Sequence, residues 1–366
     1  MELQSFIDKN PNYIDIIRDN GFKIKHYSKY KLWLIKNHYG KELIEIGNDL
    51  WKMYCKSVVI DTETNKIVSL SPIKSVKLET IDYLLKNESQ DETTEVQQIV
   101  DGTMIQLFYH KGEWLLQSRS EIGGNNRNYK CPSFKNLFEE CSNIEYELLD
   151  KNHIYSFVMR HIKNRIVTPV CQNIVVLVDV FERKDGTIHR LTNQEVISKY
   201  KEMNGFDVIE TIQISELQNI TLLNWYCKGY TFKNANDNHR FSWINPEYKY
   251  VESLIQNQQN PLYHYIELRK NGQINDYLKY FPEKINSFTL YRDKIHKMTN
   301  DLYSHYKNIK IHKKGDMQSC PYKLRPLLSK LHKKYLETKV PISWTDMKQF
   351  IHVLDTKQLV FVLNQS

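Results

Sequence analysis

The spacing of apolar residues changes near residue 250, and this constrains the fold more than any other feature of the chain. Before it, apolar residues come in short β-branched or alternating runs separated by polar turns; after it they recur at helical spacing. SVVIDTETNKIVSLS (57–71) reads as a hairpin around Thr62–Lys66, and QQIVDGTMIQLFYHKGEWLLQSRS (97–120) as a second, turning at His110-Lys111-Gly112. NWYCKGYTFKNANDNHRFSWINPEY (224–248) reads as a third. FKIKHYSKYKLWLIKN (22–37) alternates as a strand does, and 164–191 holds a strand pair whose second member is wholly apolar. Helical spacing marks 12–20, 41–54, 133–149, 194–202 with Asn193 as its cap, and 214–222; residues 77–95 read as a helix or loop. The pattern predicts an α+β domain over 1–250, then an all-helical domain over 251–366 broken near 309–322 and 339–345.

Charge follows the same division. The 51 basic and 43 acidic residues leave a net charge of +8. Residues 251–366 hold 19 basic and 10 acidic residues, so the first 250 are close to neutral. The excess concentrates in 291–335, with 12 basic against 3 acidic residues and with Tyr and His interleaved. Such a stretch suits a polyanion, its phosphates neutralised and its bases stacked, or else a solvated helical face. The expected RNA-binding surface is Lys307, Lys310, Lys313, Lys314, Lys323, Arg325, Lys330, Lys333 and Lys334.

Other classes are excluded early. No apolar run approaches the roughly 18 residues of a membrane span. The opening MELQSFIDKNPNYIDIIRDNG is polar and amphipathic, unlike a secretory signal, and a cytoplasmic location is expected. The six cysteines are scattered without a CxxC spacing, as reduced intracellular thiols are. His110, His153, His161 and His239 form no ligand pair, there is no glycine-rich phosphate loop, and no metal or cofactor is expected.

Five segments carry a resemblance. VDGT (100–103) sits at a strand edge, RSEIGG (119–124) follows one hairpin later, and FVMRHIKNRIV (157–167) leads to an apolar strand. CKGYTF (227–232) and FSWINPEY (241–248) come last; upstream lies YCKSVVIDTETNKIVSLSPIK. In order and spacing these resemble the nucleotidyltransferase core of RNA ligases, particularly the RNA-repair ligases of large bacteriophages, over residues 20–255. The resemblance implies a ligase-type core of antiparallel sheets, akin to an ATP-grasp arrangement, with a helical C-terminal domain. In that family a lysine attacks the α-phosphate of ATP, and carboxylates hold a metal.

At most of the matching positions the chemistry is gone. The nucleophile position is Ile99, the glutamate after Phe157 is Val158, and the glutamate before Gly229 is Lys228. The last motif's two lysines fall on Ser242 and Ile244, and the upstream arginine is Lys56. Isoleucine is no nucleophile and valine binds no metal, so the family's catalysis is expected to be lost and no catalytic residue is assigned. What the resemblance leaves is scaffold and charge. Asp101 and Gly102 keep the turn; Asn164 and Arg165 keep their motif; Lys56, Arg119, Lys228 and Arg240 converge on the former nucleotide pocket. Arg165 either holds an internal carboxylate or faces a phosphate. Trp225, Trp243, Phe157 and Tyr248 either stack on a ligand or fill the core. The implied partner is RNA or a nucleotide. The alternatives are an RNA 5′-end or cap reader, a scaffold that binds a protein, and an active ligase with displaced residues.

Overall fold

Period-two patterning over the first 250 residues produces three sheets, and the helical spacing that follows produces a bundle. The computed structural model describes residues 1–37, 49–80, 94–127, 131–212, 217, 223–234, 240–256 and 260–364. The chain divides into two units, Met1–Tyr250 and Val251–Ser366.

In the first unit, helices α1 (Glu2–Lys9) and α2 (Tyr13–Asp19) pack on an antiparallel sheet. Its order is β1 (Lys23–Tyr27), β2 (Leu32–Lys36), β3 (Ser57–Asp61), β4 (Ile67–Leu70). The alternating stretch 22–37 is therefore two strands, not one. Tyr27 pairs with Leu32 around a four-residue turn, with Lys31 at φ 54°. An even-numbered turn preserves the alternation, so the break is invisible to a period-two test.

The central sheet runs β12 (Thr187–Arg190), β11 (Ile174–Lys184), β10 (His153–Arg160), β7 (Thr103–His110), β8 (Glu113–Ser118), β9 (Glu121–Ile122). The short β13 (Asp207–Val208) lies parallel to β11. One face, with Leu107, Tyr155, Phe157 and Leu177, packs against α3 (Phe134–Cys141) and α4 (Asn193–Tyr200). Phe108, Leu115, Ile154 and Phe181, on the other face, join the core of the first sheet. Burying side chains of this size contributes about 1.5–3 kcal/mol each. Helix α4 is capped by Thr192, not Asn193: its hydroxyl accepts from Glu195 N while Glu195 reaches back, a capping box.

The third sheet runs β5 (Val76–Leu78), β15 (Arg240–Ile244), β14 (Gly229–Asn234), β6 (Thr94–Gln98), antiparallel except for β5 beside β15. The helices expected at 214–222 and over most of 41–54, and the bulk of 77–95, lie outside the described residues.

In the second unit the 22-residue α8 (Ile285–Tyr306) buries Phe288, Ile295, Met298, Leu302 and Tyr306 along one stripe. Packed around it are α6 (Pro261–Lys270), α9 (Arg325–Thr338), α10 (Trp344–Val353) and α11 (Thr356–Leu363). Helix α5 (Pro246–Ser253) spans the division, and α7 (Ile274–Tyr280) leads into α8. No described helix is long and apolar enough to cross a membrane.

Candidate functional site

The turn joining β6 to β7 carries Ile99-Val100-Asp101-Gly102. Ile99 N donates to Gly229 O, which ties the turn to β14. Two glycines are required by close packing. A Cβ on Gly102 would lie 2.4 Å from Met159 O; one on Gly229, at φ +136°, would lie 2.1 Å from Trp243 O. Asp101 is buried and fully used. Oδ2 accepts from Val167 N (3.0 Å) and Thr168 N (2.8 Å). Oδ1 accepts from Tyr248 OH (2.6 Å) and Lys228 Nζ (3.2 Å). Burial raises the carboxyl's pKa, but the Lys228 ammonium and these hydrogen bonds outweigh it and hold the group below its ordinary value.

A polar row crosses the central sheet beside this turn. Gln117 pairs with Gln106, Gln106 with Ser156, and Ser156 with Asp179, from β8 through β7 and β10 to β11. All four are 2% exposed or less. Gln117 Nε2 reaches across to Ser57 Oγ (2.8 Å) of the first sheet. Among the described residues, Gln106 Oε1, Gln117 Oε1 and Ser156 Oγ have no hydrogen-bond partner. Buried acceptors in that state mark a place for a water or a polar ligand.

Asp179 ends the row in a knot of charge between the central and third sheets. It accepts from Lys233 Nζ (2.7 Å), Arg190 Nε (3.0 Å) and Arg240 Nη1 (2.7 Å). Arg190 also pairs with Glu95, whose Oε1 accepts from Asn193 N (2.6 Å). Burial opposes ionisation of Asp179, but the three cations overcome it and keep the carboxyl far below its usual range. Burial, with Arg240 and Arg190 beside it, lowers the pKa of Lys233. Among the described residues, three basic side chains face two carboxylates in this knot. A cavity of about 160 Å³, walled on its apolar side by Leu70, Ile73, Phe181 and Ile188, opens over Arg190, Lys233 and Arg240.

Lys56, at the entry to β3, sits in the same field. Burial and then the charges of Arg240, Arg119 and Lys74 push its pKa down to about 8. Lys56, Arg119 and Arg240 thus come together from three different sheets, with Lys74 as a fourth member. Lys228 pairs with Asp101 (3.2 Å) and lies over the Tyr248 ring (5.2 Å).

Arg165 folds back on the loop that follows it. Its Nε and Nη2 donate to Val167 O (3.0 and 2.9 Å), closing the loop that Asp101 holds from the other side. Asn164 Nδ2 donates to Thr103 Oγ1 (2.9 Å). Two of the expected stacking rings are core. Trp243 packs with Val96 and Phe232 at 8% exposure, and Phe157 is fully buried against Phe138 and Phe206. Tyr248 is spent on Asp101, while Trp225 is half-buried and edge-on to Tyr226. Val158 lies with Val176 and Val178 in an apolar cluster joined by Val100 and Met104. Ser242 is buried opposite Thr231, and Ile244 stands opposite Gly229. Among the described residues no group of three His, Cys, Asp or Glu side chains is arranged to hold a metal.

On the helical unit, Lys313, Lys314, Lys330, Lys333 and Lys334 are exposed, and the last three share one face of α9. Lys307 lies over the Tyr303 ring (4.8 Å), and Lys310 is half-buried. Arg325 is half-buried, donates to Cys320 O (2.8 Å) and Gln318 O (2.9 Å), and so holds its own turn.

The sequence reading missed Asp179, Lys233, Arg190, Glu95 and the Gln106–Gln117–Ser156 row. The signal was present: an aspartate inside IVVLVDVF and a lysine inside GYTFKN are charges on strands that bury their neighbours, and a buried charge needs a partner.

No protein-family profile matches the sequence, and no curated protein matches it. Among solved structures, the chain is similar to a protein described as an ATP-dependent DNA ligase from Aquifex aeolicus. The identity is 13% and the TM-score 0.45, over 97% of this chain and 79% of that one. An archaeal ATP-dependent RNA ligase matches at 12% identity and TM-score 0.44, over 78% and 79% of the two chains. A Naegleria gruberi RNA ligase variant with ATP and Mn matches at 13% and 0.37, over 49% and 57%.

Proposed function

We propose that this protein is a ligase-like chain without adenylyltransferase activity that binds RNA through the cleft around Lys56, Arg119 and Arg240 and through its basic helical unit. The observation that carries the reading is the combination at the cleft. Cations from three sheets gather beside buried acceptors without partners, while the positions that would do chemistry are Ile99 and Val158. Positive charge with donors and acceptors suits a phosphate and its nucleoside.

The residues do not fit a covalent nucleotide intermediate or its metal. Ile99 has no nucleophile, and the Val158 position is packed among valines. Lys228 puts an ammonium where the family has a carboxylate, and that ammonium is neutralised by Asp101.

The test is equilibrium binding of one short RNA carrying a 5′-hydroxyl, a 5′-monophosphate or a methylated cap, each at two salt concentrations. Binding should weaken steeply with salt. Affinity that depends on the 5′ end supports the cleft as the reader, and Arg119→Ala should then remove the discrimination. Equal affinity for all three ends would leave binding to the helical unit alone. Absence of RNA binding, or a protein–AMP adduct formed with ATP and a divalent metal, would overturn the proposal.

A further inference from the structure

We infer that the helical unit holds one nucleotide of a single-stranded RNA in a pocket between α8, the 321–324 turn and α11, with Lys323 on the phosphate and Tyr322 on the base. The inference rests on the RNA-binding reading above and gives it a second, independent site.

The pocket has a volume of about 550 Å³ and is lined by Lys294, Lys297 and Met298 of α8, by residues 321–324, and by Val362 of α11. That is within the range of small-ligand sites, roughly 300–1,000 Å³. Met298, Leu324 and Val362 form a buried apolar floor. Three lysines stand around it, and none of the described lining side chains is acidic. Lys294 and Lys297 are one turn apart on α8 and both exposed, so their charges reach the same rim.

Lys323 is the informative residue. Among the described residues its Nζ is shielded from solvent and donates to no atom. Its nearest compensation is the Phe361 ring, 5.8 Å away. A ring face at that distance does not replace the three hydrogen bonds an ammonium can make, and an unpaired shielded charge is costly. A protein that keeps one at the wall of a cationic pocket is arranged for an anion. The turn holding Lys323 leads directly into α9, whose N-cap is Leu324 and has no side-chain acceptor. The uncapped amides and the positive helix end add to the same field.

The remaining surfaces select among anions. Tyr322 is 76% exposed, and Phe361, under the Lys323 ammonium, is 56% exposed. An exposed ring next to an apolar floor and three cations matches the two halves of a nucleotide: a flat base and a charged phosphate. An acidic peptide segment would engage the cations and leave the ring and floor without a partner.

The test uses the full chain and a labelled single-stranded RNA of about eight nucleotides, with binding followed by fluorescence anisotropy and stability by thermal unfolding. Lys323→Met keeps the stem and removes the charge. It should weaken binding about tenfold or more and at the same time raise Tm, because a shielded unpaired charge is gone. Tyr322→Ala should weaken binding at least about fivefold with Tm unchanged. Both losses should persist in an Arg119→Ala background. Lys323→Met that binds like the parent, or that lowers Tm, overturns the inference, since the ammonium then serves no ligand or has a structural partner. A loss with Lys323→Met but none with Tyr322→Ala reduces the pocket to a phosphate site and overturns the nucleotide assignment. Loss of binding with Arg119→Ala alone supports the cleft and rejects this pocket; loss with Lys323→Met alone does the reverse.

Discussion

Asp101 and Asp179 are buried to a similar degree, at 7% and 2% exposure, and each lies where β-elements of the first unit meet. Asp101 is met by two backbone amides, a phenol and one ammonium, mostly neutral donors supplied by nearby loops. Asp179 is met by three cations from β12, β14 and β15. Neutral donors satisfy the hydrogen bonds of Asp101 and the single Lys228 ammonium balances its charge, whereas Asp179 is met by three cations. The first arrangement fixes a turn. The second joins two sheets, and Lys56 nearby loses its proton more easily than an ordinary lysine, first through burial and then through the charges of Arg240, Arg119 and Lys74.

The largest effect is expected at Asp179. Asp179→Asn keeps the size and leaves three buried cations short of a partner, and should cost about 3–5 kcal/mol, read from the midpoint of urea unfolding. Asp101→Asn keeps an acceptor for the amides and loses the one that serves Lys228 and Tyr248 OH, so about 1.5–3 kcal/mol is expected. Equal losses would break the comparison and show that the number of cations does not matter.

Acid unfolding sharpens it. Both carboxyls titrate below their ordinary value, so the stability they add is present above the unfolded pKa of about 4 and is lost as pH falls through the folded values. Urea titrations between about pH 2 and about pH 5 should show a shallower acid limb for Asp179→Asn than for Asp101→Asn. The opposite order would place the dominant charge at Asp101.

A smaller effect is expected from Lys56. Its folded pKa lies below its unfolded value, so the folded protein releases the proton first, and stability should rise with pH from about 8 upward. RNA affinity should move the other way and fall as pH passes about 8, because a neutral amine no longer attracts phosphate. Lys56→Met should flatten both profiles, and an unchanged affinity profile would remove Lys56 from the cleft's ligand set. The smallest change is Tyr248→Phe, which deletes one of four hydrogen bonds to Asp101. It should cost about 1 kcal/mol, also by urea, and a cost as large as that of Asp101→Asn would mean the phenol, not Lys228, sustains the turn.

Local pattern determined much of this protein. Residues 57–71, 103–118 and 229–244 form the expected hairpins because period-two alternation and turn residues act over a few positions. Helical spacing after 250 produced helices for the same reason, and Gly102 was legible as part of the Asp101-Gly102 turn, where no side chain fits. Only the tertiary structure decided what each charge does. Lys228 and Asp101 are 127 residues apart, and Lys233 and Asp179 are 54 apart. Nothing in the spacing says that the first lysine is neutralised at a turn while the second meets a carboxylate shared by three cations. For Trp243 and Phe157 the sequence left stacking on a ligand and filling the core both open, and packing put them in the core. Periodicity is a property of neighbours along the chain, whereas pairing and burial depend on which strands the sheets bring side by side. The sequence therefore carried the elements and the turn, and the fold alone assigned the cations to structure or to a ligand.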